Sequence, residues 1–549
     1  MVLKLAIDAG EHLMPEYDAL IVGAGFAGLY ALHKLRGLGF SCRVIEAGTG
    51  VGGTWFWNRY PGARCDVESF SYSYSFSEEI EQEWTWSHRY AMQPEILVYA
   101  NFVADKLDLR RDISFGTRVT AAAYDEKRHN WRISTDAAGE LRARYLVMAT
   151  GCLSVPKVPD LPGLENFRGE VVHTADWPRE GCELAGQRVG IIGTGSSGVQ
   201  AIPIIAREAG HLTVFQRTPN FSIPAWNGPR SEDQRKAMKG EYRNLRSKAR
   251  NSYAGDYADE YYLTIMDMTA EQREAAFELR WREGGFNYQY AFRDMMDDPH
   301  ANELAADFVR RKIRAIVSHP ATAAALCPKD HPIGSKRLCV DTGYYETFNR
   351  PNVTLVDVKA DPITGFTADE LTTRTHSYAL DTLVLATGFD AMTGALTAFD
   401  IRGRAGRTLK DTWQDGAGAY LGIAVAGFPN LFVITGPGSP SVLANVILAI
   451  EQHVEWLSDL LLYARSHHIT EIEADSTAQD DWMSDVRASA DRTLYPHANS
   501  WYLGANVPGK PRVFMPYVDG FSIYEATCKA IAADGYRGFH LLRQTEEAA

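Results

Sequence analysis

Apolar and polar positions first outline a strand, a glycine turn and a helix near the start of the chain. The mainly apolar run 17–22 predicts a short buried strand, and apolar residues recur at helical spacing over 29–38. A second strand is predicted over 41–45. Alternating apolar and polar residues over 112–136 then predict small antiparallel strands. This order is typical of the start of an α/β domain.

The same unit recurs further along the chain. A strand over 188–192, a glycine turn, a helix and a strand over 212–215 repeat the order, although Pro203 inside the helix predicts a kink. Two apolar runs that end in Ala-Thr-Gly, at 149–151 and 386–388, bracket this second unit. We therefore expect the chain to leave a first domain near 151 and to return to it near 388.

Helical patterns with mixed charge replace the glycine-rich strands between 230 and 320, which predicts a helical excursion. Its bulky residues Phe286, Tyr288 and Tyr290 either line a substrate entrance or belong to the core. The predicted fold class is α/β, with two Rossmann-like dinucleotide-binding domains, the second inserted in the first. The expected boundaries are 1–151 and 386–549 for the first domain, 152–225 and 331–385 for the inserted domain, and 226–330 for the helical subdomain.

The first glycine turn carries the chemistry of a dinucleotide site. Gly23 makes the turn, Gly25 lets the backbone approach a pyrophosphate, and Gly28 lets the helix pack on the strand. Glu46 ends the next strand, 18 residues past Gly28, where a carboxylate accepts hydrogen bonds from an unphosphorylated ribose. The first site therefore suits FAD or NAD and disfavours NADP.

The second glycine turn differs at that acidic position. Its GxGxxG run contributes Thr194, Gly195, Ser196, Ser197 and Gly198. Gln216 stands at the equivalent of Glu46 and is followed by Arg217 and Thr218. Because an arginine there matches a 2′-phosphate by bidentate hydrogen bonding, we expect NADPH at the second site; a solvated surface arginine is the alternative.

Composition and charge narrow the function classes. Lys and Arg number 56 and Asp and Glu 69, a formal net charge of −13 that disfavours nucleic acid as a partner. The seven cysteines include no C-x-x-C pair, which argues against a zinc ribbon, a disulfide framework and the dithiol of flavin disulfide reductases. We expect no metal site.

Two stretches bear on localisation. Residues 1–16 lack the uninterrupted apolar core of an export signal, and prolines and glycines break the uncharged run 416–450. We therefore expect a cytoplasmic protein with no membrane span.

Two windows carry signatures with several fixed positions. One satisfies FxGxxxHxxxW followed by Pro, at Phe167, Gly169, His173, Trp177 and Pro178. Taken alone, this fingerprint window is explained as well by a structural turn with a satisfied core histidine. The other window, 52–66, satisfies GGxWxxxxYPGxxxD. Together they resemble the signatures of type I Baeyer–Villiger monooxygenases, flavoenzymes that convert ketones to esters or lactones.

The resemblance implies roles for further residues. It places Gly53, Thr54, Trp55, Asp66, Tyr72, Val119 and Val446 at FAD, Lys336, Arg337 and Trp501 at NADPH, and Ser441, Val442 and Leu443 in the substrate pocket. The window 52–66 would wrap the flavin, Lys336 would assist at the 2′-phosphate, and Arg337, paired with Asp66, would be the catalytic arginine.

The turn at 436–445, GPGSPSVLAN, is more similar to that of the phenylacetone and steroid members of the family. A helix predicted over 442–462 follows this turn and would point its positive end towards the reduced flavin.

The mechanism that the resemblance implies begins with reduction of FAD by NADPH and addition of O2 at flavin C4a. The peroxide, kept anionic by Arg337 and sheltered by retained NADP⁺, attacks the ketone to give a Criegee adduct.

The fingerprint window contains no residues whose spacing indicates a nucleophile or an acid–base pair. It follows Gly151 and precedes Gly193, so we expect it to be a linker that sets a hinge, with His173 holding a conformation.

The expected partners are a cyclic, aryl or steroid-like ketone and O2, with the chain a monomer or a weak homodimer. A flavin-containing monooxygenase that oxidises nitrogen or sulfur is the nearest alternative, although its fingerprint typically lacks the Trp177-Pro178 ending. A non-catalytic NADPH-sensing flavoprotein is a second alternative, against which the presence of Asp66 and Arg337 weighs.

Overall fold

The computed structural model describes residues 16–257 and 263–543 of the 549-residue chain. Residues 1–15, on which the expectation of no export signal mainly rests, lie outside the described residues. All seven cysteines lie within it as free thiols.

Helices and strands alternate through most of the described chain. The strands are β1 (Glu16–Val22), β2 (Cys42–Ile45), β3 (Ile113–Ser114), β4 (Val119–Asp125), β5 (Asn130–Thr135), β6 (Glu140–Met148), β7 (Glu170–His173), β8 (Arg188–Ile192), β9 (His211–Gln216), β10 (Ser222–Pro224), β11 (Cys339–Asp341), β12 (Val353–Asp357), β13 (Ile363–Phe366), β14 (Glu370–Thr373), β15 (Ser377–Ala379), β16 (Thr382–Leu385), β17 (Asp400–Arg402), β18 (Leu431–Val433), β19 (Ile469–Ala474) and β20 (Phe539–Arg543). The helices are α1 (Phe26–Gly37), α2 (Thr54–Trp57), α3 (Glu78–Glu83), α4 (Gln93–Lys106), α5 (Ser196–Glu208), α6 (Glu232–Arg250), α7 (Ala270–Glu283), α8 (Asn287–Tyr290), α9 (Pro299–Ile316), α10 (Pro320–Leu326), α11 (Tyr344–Thr347), α12 (Gly394–Thr397), α13 (Leu409–Thr412), α14 (Val446–Ser466), α15 (Ser476–Asp491) and α16 (Phe521–Ala533).

The first sheet is built around β6 and β1. Its strand order is β17-β4-β5-β6-β1-β2-β3. One edge of β6 pairs in parallel with β1, and the other pairs first with antiparallel β5 and then with parallel β18. Side chains alternate along β1, so that Ala19 and Ile21 enter the apolar core with α1 and α14, whereas Leu20 and Val22 enter the core on the other face.

The second sheet is parallel throughout, in the order β12-β9-β8-β16-β7. Its strands lie between 170 and 385, after β6 and before β17 of the first sheet. The predicted fold class, two dinucleotide-binding sheets with the second inserted in the first, is therefore confirmed. The remaining sheets are small: β10-β11, β13-β14-β15 and β19-β20.

The fingerprint window contributes a strand to the second sheet. Glu170–His173 forms β7, which pairs with β16 at the edge of the sheet. The linker prediction is wrong at this point, because the apolar run Val171-Val172 is too short to predict a strand. A Cβ at Gly169 would lie 2.4 Å from the Asp381 carbonyl oxygen, so the residue before the strand has room only for glycine.

Helix α5 runs from Ser196 to Glu208 and includes Pro203, and the kink expected at this proline stays a prediction. Another helix begins later than predicted. Helix α14 begins at Val446 rather than at 442, because Ser441–Leu443 forms a separate 3₁₀ turn and Ala444 is extended. The Asn445 side chain caps α14 by accepting a hydrogen bond from the Ile447 amide.

Helices α6 to α10 form the predicted helical excursion over 232–326. Helix α6 is fixed to the first-sheet part of the molecule by two arginines. Arg246 lies 2.8 Å from Glu81, and Arg250 lies 3.3 Å from both Glu455 of α14 and Glu525 of α16. These ion pairs hold α6 against α3, α14 and α16.

The uncharged run 416–450 forms β18, the 3₁₀ turn and the start of α14. Along 16–257 and 263–543, no helix has both the length and the apolar character that a bilayer crossing requires.

Candidate active site

The backbone of the first glycine turn packs closely against the residues that follow β6. Gly23 has a φ of 102°, and a Cβ there would lie 2.7 Å from the Ala149 carbonyl oxygen. A Cβ at Gly28 would lie 1.8 Å from the Gly23 carbonyl oxygen. No side chain caps α1 at Gly25, so the first amides of the helix remain free to bind an anion.

Glu46 lies beside this turn as the sequence predicts. Its carboxylate is buried and accepts hydrogen bonds from the amides of Ala24 and Gly48, at 2.7 and 2.6 Å. Each carboxylate oxygen can accept more than one hydrogen bond, so ribose hydroxyls can still donate to it.

The aromatic window 52–66 closes over the turn at one end. A Cβ at Gly53 would lie 2.8 Å from the Gly25 Cα, so the two backbones are in close approach. Thr54 begins α2, and the Trp55 indole N–H donates to the Tyr72 hydroxyl at 3.0 Å. The sequence therefore brings these aromatic residues to the glycine turn.

The other end of this window contacts the second unit. The Tyr60 hydroxyl donates to the Gln200 side chain of α5 at 2.9 Å, and a Cβ at Gly62 would lie 2.4 Å from the Gln200 carbonyl oxygen. The window thus fixes the two units to each other, a role that its sequence did not indicate.

Arg337 and Asp66 form a two-point ion pair. The arginine Nε lies 2.6 Å from Asp66 Oδ2, and Nη2 lies 2.8 Å from Oδ1. Nη1 donates to the Val442 carbonyl at 2.7 Å, and the guanidinium carbon lies 4.9 Å from the centroid of the Phe286 ring. Burial acts to lower the pKa of Arg337, but Asp66 outweighs this and raises it well above its usual range.

The turn before α14 brings the Val442 carbonyl to the arginine. Ser441, the residue before it, adopts a left-handed backbone with a φ of 45°, which is costly for a residue with a side chain. Ser441 is fully buried, and its hydroxyl points to the Met392 sulfur at 4.0 Å.

A cavity of about 300 Å³ opens next to Arg337. We call it the substrate cavity; its wall includes Phe286, Tyr290, Arg337, Leu338, Val442, Leu443, Tyr495 and Tyr502. The exposed side chains of Tyr253, Arg293 and Asp297 also line it and mark its mouth. Of the three predicted pocket residues, Val442 and Leu443 line the cavity, and Ser441 lies buried beside Val442.

A second cavity of about 360 Å³ lies on the Asp66 side of the ion pair. We call it the polar cavity; its wall includes Asp66, Glu68, Tyr90, Lys248, Glu283, Phe286 and Tyr290. Phe286 and Tyr290 line both cavities, whereas Tyr288 is fully buried in the core. Phe286 and Tyr290 are therefore cavity-lining residues, and Tyr288 is a core residue.

The second glycine turn repeats the geometry of the first. A Cβ at Gly193 would lie 2.3 Å from the Ala386 carbonyl oxygen, and one at Gly198 would lie 2.2 Å from the Gly193 carbonyl oxygen. Gly195 is the N-cap residue of α5 and provides no side-chain cap, and the space beside Gly195 is open. Ser196 and Ser197 form its first turn, and the Thr194 hydroxyl donates to the Thr218 carbonyl at 3.0 Å.

Positive charge gathers around Arg217. Burial lowers the pKa of Lys336, Asp330 opposes this shift, and the charge of Arg217 adds to it. Burial, with the charge of Arg217, also lowers the pKa of Lys157. The sequence indicated Arg217 and Lys336 but not Lys157, which lies in an irregular segment after Gly151 and belongs to no motif.

The fingerprint side chains are packed within the second unit. The Ala175 amide donates to His173 Nδ1 at 3.0 Å, so the ring proton is on Nε2, 3.2 Å from the Thr387 hydroxyl oxygen. Burial lowers the pKa of His173 and keeps the ring neutral. Phe167 and Trp177 are buried in cores, and Arg179, next to Pro178, donates to the Thr49 hydroxyl of the first unit at 2.7 Å.

Trp501 and Tyr502 belong to one 3₁₀ turn, with ring centroids 4.5 Å apart. Trp501 is half-buried. Burial raises the pKa of Tyr502 to about 12, and the nearby Arg337 guanidinium opposes this rise. This turn therefore brings a predicted NADPH contact next to the ion pair.

Comparison with known proteins places the chain in a family. A family model described as pyridine nucleotide-disulphide oxidoreductase matches residues 20–249. A Baeyer–Villiger monooxygenase of Pseudooceanicola batsensis is 43% identical over 525 residues, or 95% of each chain. The phenazine N-monooxygenase PhzNO1 of Lysobacter antibioticus is 41% identical over 529 residues, 96% of this chain and 97% of that protein.

Among solved structures, an oxidised steroid monooxygenase bound to NADP is 50% identical, with a TM-score of 0.93 over 96% of this chain and 100% of that chain. This likeness agrees with the expected closeness to the steroid members. Because such identities extend over nearly the whole sequence, the chain belongs to the type I Baeyer–Villiger monooxygenase family.

Proposed function

We propose that the protein is an FAD-dependent monooxygenase that uses NADPH and O2 to convert ketones to esters or lactones. The observation that carries the proposal is the ion pair of Arg337 with Asp66, whose arginine lines the substrate cavity. The balanced reaction is ketone + NADPH + H⁺ + O2 → ester or lactone + NADP⁺ + H2O.

The residues of the first unit fit FAD. The backbone of Gly23, Gly25 and Gly28 and the uncapped start of α1 would receive the pyrophosphate, and Glu46 would accept from the ribose. The flavin end would be held by Gly53, Thr54, Trp55, Asp66, Tyr72, Val119 and Val446. When bound, FAD supplies the chemistry that takes two electrons from NADPH and activates O2.

NADPH fits the second unit. Thr194 to Gly198 would bind its pyrophosphate at the start of α5, and Arg217, Thr218 and Lys336 would bind the 2′-phosphate, with Lys157 adding a further cation. Trp501 would contact the nicotinamide half. NADP⁺ retained there during oxygenation would exclude water from the ketone.

Arg337 acts as a fixed cation at the reacting centre. An arginine does not deprotonate in proteins, so it can stabilise a developing anion without losing its own charge. Asp66 and the Val442 carbonyl hold it in one orientation, and the Phe286 ring packs against it. A donor fixed in this way is worth about 10² to 10³ in rate.

The cavity suits a mostly apolar ketone of the cyclic, aryl or steroid-like kind. Tyr495, Tyr502 and Phe286 give it aromatic walls, with Val442 and Leu443 beside Arg337. A volume of about 300 Å³ lies at the lower end of the range for small-molecule sites.

The division into domains is part of the proposal. We assign 1–151 and 386–549 to FAD, 152–225 and 331–385 to NADPH, and 226–330 to the helical subdomain. The fingerprint residues His173, Trp177 and Pro178 would hold the edge of the NADPH sheet in position relative to the FAD domain while the domains move. The hydrogen bond from Arg179 to Thr49 supports this role.

Seven free thiols support a reducing, cytoplasmic location, and we propose a monomer or a weak homodimer.

N-oxidation of an aromatic heterocycle is a second candidate, because one relative that matches nearly the whole chain is named a phenazine N-monooxygenase. The test incubates the flavin-loaded protein with NADPH and air, and with a cyclic ketone, an aryl ketone, a thioether and a phenazine. Ester or lactone from a ketone, with NADPH consumed in equal amount, is the expected result. N-oxide alone would select the second candidate, sulfoxide alone a sulfur oxidase, and no product a sensing protein.

A further inference from the structure

Phe286 and Tyr290 form the wall between the substrate cavity and the polar cavity. Arg337 lines the first cavity and Asp66 lines the second. Tyr290 therefore stands beside the ion pair, with one side on the space proposed for the ketone.

Arg337 has few donors left for a substrate. Of the five N–H groups of a guanidinium, three are used by the two oxygens of Asp66 and the carbonyl of Val442. The Tyr502 hydroxyl lies close to the same group. A ketone oxygen that becomes negative during the reaction would be better stabilised with a second donor from another side.

Tyr290 is held in place by its neighbour. Its ring stacks on Phe286 with centroids 5.7 Å apart and planes 29° apart, and the Arg337 guanidinium lies over that same Phe286. Phe286 thus contacts both Tyr290 and Arg337, so the phenol ring has a defined position relative to the arginine.

The Tyr290 hydroxyl is free to donate. Within 16–257 and 263–543, no hydrogen bond from this hydroxyl to a protein group is seen, whereas the hydroxyl of Tyr288, in the same short helix, donates to the Ala305 carbonyl at 2.8 Å. Burial raises the pKa of Tyr290 and the charge of Arg337 opposes this rise, so the phenol is protonated at neutral pH.

We propose that Tyr290 is a further catalytic residue, whose hydroxyl donates a hydrogen bond to the carbonyl oxygen of the ketone as that oxygen becomes negative. The inference rests on the proposed function. When the carbonyl carbon is attacked, the π electron pair of the C=O bond moves onto oxygen. The Tyr290 hydroxyl stabilises this charge without giving up its proton, and the pair returns when the C=O bond of the ester forms.

A thioether provides a matched reaction that does not need this donor. Oxygen transfer to sulfur uses the same cofactors and the same cavity, but no carbonyl oxygen becomes negative on the substrate. Loss of the Tyr290 hydroxyl should therefore affect ketones and spare thioethers. A general loss of folding or of cofactor binding would affect both.

The test compares Tyr290→Phe with the wild-type holoenzyme, using one aryl ketone and one aryl thioether of similar size. Tyr288→Phe is the control, because it removes a hydroxyl from the same helix outside both cavities. Ester, sulfoxide and hydrogen peroxide are measured, together with the anaerobic rate at which NADPH reduces the flavin. Flavin content and melting temperature establish that each variant is folded.

For Tyr290→Phe we expect kcat for ester formation to fall by about 10-fold to 100-fold with KM changed less than about 3-fold, and peroxide to rise. Sulfoxide formation and flavin reduction should stay within about 2-fold of wild type, and Tyr288→Phe should behave as wild type. Undiminished ester formation, or an equal loss of ester and sulfoxide, would overturn the role of Tyr290. Absence of ester from the wild type would overturn the proposed function itself, and Tyr290 with it.

Discussion

Arg337 and Asp66, 271 positions apart in the chain, meet in a two-point ion pair with N–O distances of 2.6 and 2.8 Å. Asp66 is the last residue of the aromatic window 52–66, and Arg337 lies just before β11 in the inserted part. The pair therefore forms only when the inserted part is docked on the FAD part. The cation is in place only in the assembled molecule.

Removing the cation should separate flavin reduction from oxygenation. In Arg337→Ala we expect NADPH to reduce the flavin at close to the wild-type rate, while ester formation falls by at least about 10²-fold, because the fixed positive charge is lost. Stopped-flow absorbance and product analysis measure the two steps. Asp66→Asn, which keeps the size of the side chain but loosens Arg337, should give an intermediate loss. Oxygenation at the wild-type rate in Arg337→Ala would contradict the assignment.

The choice of coenzyme tests the second nucleotide site. We expect Arg217→Ala to lower kcat/KM for NADPH by about 10-fold or more and to leave that for NADH nearly unchanged, since a charged hydrogen bond to phosphate is worth about 1.5 to 3 kcal/mol. Arg207→Ala, an exposed arginine at the far end of α5, is the control. An unchanged preference for NADPH in Arg217→Ala would show that this site has been assigned wrongly.

Stability should depend on pH through His453 of α14. The ring is fully buried, accepts from the Thr435 amide at Nδ1 and lies 2.7 Å from the Tyr524 hydroxyl through Nε2. Burial lowers its pKa from 6.5 to about 3. Below 6.5 the unfolded chain takes up a proton that the folded protein does not, so stability is full above that pH and falls as pH drops towards 3.

At pH 5 this loss amounts to about 2 kcal/mol relative to pH 8. His453→Gln should be less stable at pH 8 but should show a shallower fall, measured by urea unfolding at a series of pH values. His300→Gln, on the surface of α9, should keep the wild-type slope. A His453→Gln slope equal to that of wild type would refute the prediction.

The hinge role of the fingerprint is tested by His173→Ala. We expect both flavin reduction and oxygenation to slow by about 10-fold, because the contact between β7 and Thr387 is lost and the domains reach the reactive arrangement less often. If oxygenation alone is abolished while NADPH binding, reduction and domain movement stay normal, His173 acts directly in the chemistry.

The two nucleotide units were predictable because their signals are local. Gly23, Gly28 and Glu46 follow a strand at fixed offsets, and the glycines fit where a Cβ would strike a carbonyl oxygen. The change from Glu46 to Gln216 at the equivalent position was also visible in the sequence.

The centre of the site could not be derived from spacing. Asp66 and Arg337 are joined by tertiary packing across 271 positions, and only the resemblance to a known family paired them. Lys157 could not be predicted because it belongs to no motif, and β7 could not because it has only two apolar residues in a row. The later start of α14 depends on the left-handed backbone of Ser441, which the sequence does not indicate. Phe286 and Tyr290 line the cavities whereas Tyr288 is buried in the core, because of the rotation of the short helix α8 about its axis. Aromatic residues at alternate positions in the sequence do not predict that rotation.

Labelled oxygen tests the central claim most directly. The flavin-loaded protein is incubated with NADPH, an aryl ketone and ¹⁸O2, and the products are analysed by mass spectrometry. We predict an ester that contains one ¹⁸O atom, inserted between the former carbonyl carbon and the migrating carbon, with the second ¹⁸O in water. Label found only in hydrogen peroxide, with the ketone unchanged, would contradict the proposal that this protein is a ketone-oxidising monooxygenase.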